Sequence, residues 1–165
     1  MWGQLKDIKL LLLDVDGVMT DGRIVFDANG VESKFFDVKD GHGIKMLQRC
    51  AIEVGIISGR ESIVVDNRAK ELGIEIVFQK SLDKLAIYKK ILENTRLTDS
   101  QVAFMGDDVI DIPVLRKVGF SAAPSDAVSE VLELVNYVTK RPGGRGAVRE
   151  ICDMILKAKG LWGSY

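Results

Sequence analysis

The run Leu10-Leu11-Leu12-Leu13, followed at once by Asp14-Val15-Asp16-Gly17, constrains the fold more than any other stretch of the chain. An apolar run this short, without alternation and bounded by acid and glycine, reads as a strand buried on both faces in a parallel sheet. Asp14 and Asp16 then stand at the strand's carboxyl end, which is where ligands bind in open α/β sheets. Two residues apart on an extended segment they share a direction, but Gly17 lets the backbone turn and splay them into separate roles. One can attack while the other handles a proton. A divalent cation would relieve the repulsion between them and take oxygen ligands from both. The same residues also suit a simple strand-ending turn, so other segments must decide.

A second acidic cluster decides in favour of chemistry. The strand-like run Gln101-Val-Ala-Phe-Met105 ends in Gly106-Asp107-Asp108-Val109-Ile110-Asp111. Two strands delivering acids to one sheet edge suit a Mg²⁺ site. Between them Val54-Gly55-Ile56-Ile57 leads into Ser58-Gly59-Arg60, and Lys84 falls near the opening of a helical pattern. Asp, Asp, Ser, Lys and Asp in that order are the parts that move a phosphoryl group. A carboxylate attacks phosphorus, a metal and a lysine neutralise the oxygens, and a hydroxyl with backbone N–H groups orients them.

Roles follow from residue type. Asp14 is the expected nucleophile and Asp16 the acid, then the base, of a two-step hydrolysis. Ser58 and the Gly59 N–H are placed to hold phosphate oxygens, with Lys84 supplying positive charge, although a serine after a strand can be a helix cap and a lysine a solvated charge. Asp108 and Asp111 either orient ligands or Lys84, or are acids favoured at a helix N-terminus. Arg60 suits a substrate carboxylate or hydroxyls as well as phosphate. His42, the sole histidine, reads as a helix-start or rim residue.

The 165 residues make one domain with room for a core. A formal charge of −1 leaves no global field to hold nucleic acid or an anionic membrane. Asp14 interrupts the first apolar run too early for a signal peptide or membrane span, so a cytoplasmic location is expected. Cys50 and Cys152 lack metal-type spacing and read as reduced core thiols. Strand patterns near 8–13, 52–57, 74–78, 101–105 and 120–122 alternate with helical ones near 42–50, 61–72, 82–94, 111–118, 126–135 and 146–159. That alternation predicts an α/β, Rossmann-like three-layer sandwich with a central parallel sheet. Gly73 and Gly119 suit helix C-termini, and Ser81 and Ser125 suit N-caps.

Residues 23–38 break the alternation. Two strand-like runs flank Asn29-Gly30, a strong hairpin signal, and the hairpin must project from the edge that carries Asp14. It bears Ile24, Phe26, Phe35, Phe36 and Val38, and a two-stranded hairpin is marginal in water, so it needs a cover. With no room for a cap domain, the same hairpin of other subunits is the expected cover.

Taken in order, Asp14-x-Asp16-Gly17-Val18, Ser58-Gly59-Arg60, Lys84 and Gly106-Asp107-Asp108-x-x-Asp111 resemble the four motifs of the haloacid dehalogenase-like phosphatases. More narrowly, Thr20-Asp21-Gly22, Lys39-Asp40-Gly41, the 106–113 segment and Gly143-Gly-Arg-Gly-Ala-Val-Arg-Glu150 resemble the capless subgroup that acts on sugar-acid phosphates. The resemblance implies Mg²⁺ held by Asp14, Asp107 and the backbone carbonyl of Asp16, and a homotetramer whose hairpins meet and whose neighbours close each active site. It further implies a place in lipopolysaccharide synthesis. Arginine at position 60 goes with the eight-carbon acid rather than the nine-carbon one, and Arg68 matches an arginine that reaches a neighbour's sugar acid. Lys80 stands where the subgroup usually has glycine, and the tail ends soon after Trp162 and Tyr165. Two rival classes remain: a phosphoacceptor receiver domain, disfavoured because the mid-chain strand ends without an aspartate, and a catalytically spent oligomerisation module, disfavoured by the complete motif set.

Overall fold

In a computed structural model, which describes residues 2–165, six parallel strands form one sheet in the order β5-β4-β1-β6-β7-β8. They are β1 (Leu10–Leu13), β4 (Glu53–Ile57), β5 (Ile76–Phe78), β6 (Val102–Met105), β7 (Phe120–Ala123) and β8 (Tyr137–Val138). The leucine run is central, pairing with β4 on one side and β6 on the other. All four leucines are fully buried, and they divide by parity. Leu11 and Leu13 enter one core, and Leu10 and Leu12 the other. Burial on both faces is why the run shows no alternation.

The helices are α1 (Trp2–Asp7), α2 (Val38–Arg49), α3 (Ile63–Leu72), α4 (Lys84–Thr95), α5 (Ile112–Leu115), α6 (Ser129–Leu132) and α7 (Ala147–Ala158). The first core takes residues from α1, α2, α3 and α7, and the second from α4, α5 and α6. The molecule is therefore the α/β three-layer sandwich expected. A small antiparallel pair stands apart: β2 (Val25–Phe26) and β3 (Glu32–Ser33). Its turn is closed by the Gly30 N–H on the Asp27 carbonyl, with Gly30 at φ +79°, where glycine alone is free of strain.

Several local expectations need correction. Helix α2 begins at Val38 rather than near 42, because Asp37 accepts a hydrogen bond from the Lys39 N–H and caps it. Helix α4 is capped by Asp83, not Ser81; the Ser81 hydroxyl turns back to the Gln79 carbonyl. At α6 the cap position is Val128 rather than Ser125, and the helix is one turn. The 111–118 pattern shrinks to a 3₁₀ turn (Val109–Asp111) and the short α5. Gly73 does end α3, at φ +64°. Among the described residues no helix is long and apolar enough to cross a membrane.

Candidate active site

The register of β1 with β4 and β6 sets Leu13 beside Ile56 and Met105, so the three strands end together and release their loops at one edge. A cleft of about 140 Å³ opens there, lined by Asp14, Asp16, Ser58, Gly59, Arg60, Asp107, Asp108 and Ile110. Seven of these were singled out in the sequence. Lys84 and Asp111 lie behind the cleft, both buried. Arg68 lies outside it on α3, bonded to Glu71 at 2.8 Å and stacked over Phe36 with its guanidinium carbon 5.5 Å from the ring centre. His42 is exposed on α2.

Lys84 joins two carboxylates, its Nζ 2.8 Å from Asp14 Oδ2 and 2.6 Å from Asp111 Oδ1. The second Asp111 oxygen accepts the N–H groups of Asp107 (3.0 Å) and Asp108 (3.3 Å). Asp111 is thus consumed by orienting its neighbours. Asp108 caps the 3₁₀ turn through the Val109 N–H. Asp14 Oδ1 is steadied by the Val15 N–H at 2.7 Å.

Carboxylate oxygens of Asp14, Asp107 and Asp111 all lie within 4.8 Å of one another, a set able to hold a metal ion. The crowding shows in their protonation. Burial, then the neighbouring Asp14, Asp111 and Asp108, pushes the Asp107 carboxyl up to about 8. Burial first and Asp111 next raise Asp14 to about 6, against the pull of Lys84. One lysine does not neutralise three acids. Asp107 Oδ1 is moreover buried with no hydrogen-bond partner, and such an oxygen calls for a cation or a proton. The donor set, oxygen only, fits Mg²⁺.

Asp16 stands at the mouth of the cleft. Lys34 Nζ lies 2.5 Å from its Oδ1, and Arg60 Nη1 is 3.5 Å from its Oδ2. Glu32 and Lys34 were not anticipated from sequence. Their contacts to Ser62, Arg60 and Asp16 span 18 to 30 residues, and no motif spacing announces them. Ser58 is buried; its hydroxyl oxygen accepts the Arg60 N–H at 3.3 Å. Arg60 N–H thereby shapes the turn that carries Gly59.

A parallel sheet with an attacking-type carboxylate, a buried lysine and an oxygen-lined cation site at its carboxyl edge defines a phosphoryl-transfer hydrolase built on an α/β sandwich. A family model described as haloacid dehalogenase-like hydrolase matches residues 61–151. The chain belongs to the haloacid dehalogenase-like hydrolases, in the branch of the 3-deoxy-D-manno-octulosonate 8-phosphate phosphatases, as the following likenesses show. It is 46% identical over 155 residues to the phosphatase of that name from Escherichia coli K12, covering 94% of this chain and 82% of the relative. The crystal structure of the Yersinia pestis phosphatase matches with a TM-score of 0.97 and 45% identity, over 98% of this chain and 88% of that one. A Moraxella catarrhalis structure in complex with magnesium ion, phosphate ion and KDO matches with a TM-score of 0.97 and 38% identity, over 99% of this chain and 94% of that one.

Proposed function

We propose that this chain hydrolyses 3-deoxy-D-manno-octulosonate 8-phosphate to the free sugar acid and inorganic phosphate. The carrying observation is the pairing of Asp14 with buried Lys84 beside the partnerless oxygen of Asp107. Asp14, fixed by Val15 and Lys84, attacks phosphorus; the P–O bond to the sugar breaks and the electron pair leaves with the sugar oxygen. Asp16 gives that oxygen its proton. The resulting aspartyl phosphate is then cleaved by water, whose proton returns to Asp16 as phosphate leaves and the Asp14 carboxylate is restored.

Mg²⁺ would be held by Asp14, Asp107 and the backbone carbonyl of Asp16, and when bound it neutralises charge on the phosphoryl oxygens. Ser58, the Gly59 N–H and Lys84 bind those oxygens as well. Arg60 faces the sugar-acid part, and Arg68 serves a neighbouring subunit's site within a homotetramer. The enzyme would work in the cytoplasm, in lipopolysaccharide synthesis.

Comparing kcat/KM for the eight-carbon sugar-acid phosphate, its nine-carbon analogue and simple sugar phosphates tests the reading. The eight-carbon acid is expected to lead. Preference for simple sugar phosphates over both acids overturns it. Asp14→Asn should lower turnover by several orders of magnitude, because nucleophile, proton donor and metal act as a unit.

A further inference from the structure

The hairpin sends two charged side chains to the mouth of the cleft for which the phosphoryl chemistry has no use. Glu32 on β3 and Lys34 just beyond it alternate with exposed Ser33 and Phe35, and both turn inward. Their side chains are only 12% and 1% exposed. Glu32 is engaged at both oxygens: Oε1 accepts from Arg60 Nη2 at 2.9 Å, and Oε2 accepts from the Ser62 hydroxyl at 2.5 Å. Ser62 stands at the N-cap of α3, yet its side chain caps nothing there. Its hydroxyl is spent on Glu32.

Arg60 is hydrogen-bonded through one terminal nitrogen alone, the other making only a long ion pair with Asp16. Nη2 is on Glu32, whereas Nη1 is buried with no hydrogen-bond partner and lies 3.5 Å from Asp16 Oδ2. A guanidinium is a rigid plane, so fixing one terminal nitrogen aims the other. A buried donor without an acceptor is costly, and an anionic or hydroxyl-bearing ligand would supply the acceptor. Glu32 also competes with Asp16 for the guanidinium. Without it, Arg60 would close on Asp16 and occupy the carboxylate that must exchange a proton.

We propose that Glu32 is a positioning residue for substrate selection: it holds Arg60 Nη2 so that Nη1, 3.5 Å from Asp16 and not hydrogen-bonded to it, meets the sugar-acid part of the substrate instead of closing to a hydrogen bond with Asp16. Ser62 fixes the second Glu32 oxygen, and Lys34 balances the charge of Glu32 and Asp16. The inference rests on the function proposed above, in which the substrate carries an acid group for Arg60 to meet.

The test is Glu32→Gln, with kcat and KM measured in Mg²⁺ for 3-deoxy-D-manno-octulosonate 8-phosphate and for p-nitrophenyl phosphate. The ratio of the two kcat/KM values should fall about tenfold, chiefly through KM for the sugar acid, the scale expected for one charged hydrogen bond. In an Arg60→Ala background the same substitution should leave that ratio where Arg60→Ala alone sets it. Equal losses on both substrates, or effects of the two substitutions that simply multiply, would overturn the inference. Should Glu32→Gln fail to fold, Ser62→Ala is expected to lower the same ratio about threefold, and an unchanged ratio counts against Glu32. A wild-type enzyme without preference for the sugar acid defeats the proposed function, visibly and before any substitution, and this inference falls with it.

Discussion

Gly143 lies so close to Gly17 that a β-carbon on it would fall 1.8 Å from the Gly17 carbonyl oxygen. The contact continues along the backbone: a β-carbon on Gly144 would fall 2.5 Å from the Thr20 carbonyl carbon, and the Gly144 N–H donates to the Val18 carbonyl at 2.9 Å. Gly17 in turn abuts the site, where a β-carbon would fall 1.9 Å from Asp107 Oδ2. The glycine-containing segment thus clamps the loop that carries Asp14 and Asp16. Asp40 anchors the clamp from α2, accepting the Gly146 and Arg149 N–H groups at the start of α7.

Gly143→Ala should therefore act on catalysis from outside the cleft. Gly143 has no positive φ, so the effect comes from overlap alone. Displacing the loop by a fraction of an ångström is expected to lower kcat about 100-fold, with a stability loss of about 1–3 kcal/mol from overpacking. Steady-state kinetics and thermal melts on one preparation check both; a wild-type kcat would show that the loop does not depend on the clamp.

Lys84 offers a sharper separation of metal from lysine. Lys84→Met leaves Asp14 and Asp111 buried without their cation, and breaking one partner of such a set costs about 3–5 kcal/mol. Metal-free Lys84→Met should melt well below the wild type, and Mg²⁺ should recover part of the difference through Asp14. Turnover stays low in either case. If calorimetry finds the metal-free variant as stable as the wild type, the lysine is not what holds these acids together.

How much of this was readable in the chain depends on whether one segment held the signal. The leucine run and its acids were legible because the strand is buried on both faces and its end is the ligand edge, so composition and position agree. Helix α1 was not, since its six residues bury only Leu5, and β8 is two residues long. The cluster of Glu32, Lys34, Arg60 and Asp16 is assembled by tertiary folding; Asp16 and Arg60 stand in motifs, but Glu32 and Lys34 look like ordinary surface charges in sequence. Lys80 shows the opposite case. It adopts φ +54°, the left-handed region, where glycine would be free of strain and lysine carries about 1–2 kcal/mol of it.

The acid cluster sets the pH dependence of stability. Asp107 at about 8 and Asp14 at about 6 both lie above the ordinary value of 3.8, so between these limits the folded chain keeps protons that the unfolded chain has released. By linkage, metal-free stability falls as pH rises through that window, with the loss complete above about 8. A bound cation takes the place of the protons. The Tm gain from Mg²⁺ should consequently grow with pH across the same window when melts in chelator and in Mg²⁺ are compared. A gain that stays constant would mean that the metal does not replace these protons.

The hairpin leaves an apolar surface that a single chain does not bury. Phe26 is 56% exposed and Phe35, just past β3, 64%; Ile24 and Val31 are also exposed, as is Val38 at the start of α2. Phe36, by contrast, packs on the core beneath Arg68 and is unsuitable for probing an interface. Clustered exposure of this kind beside an open cleft fits a surface shared between subunits. Water reaching an uncovered aspartyl phosphate and an unselected sugar are the chemical cost of leaving it open. Phe26→Asp with Phe35→Asp should yield species smaller than a tetramer by light scattering. Its kcat/KM for the sugar-acid phosphate should fall about tenfold or more, the cost of misplacing groups that position substrate, and further than its activity on p-nitrophenyl phosphate. A wild-type protein that is monomeric at micromolar concentration and fully active on the sugar acid would show that each cleft is complete within one chain.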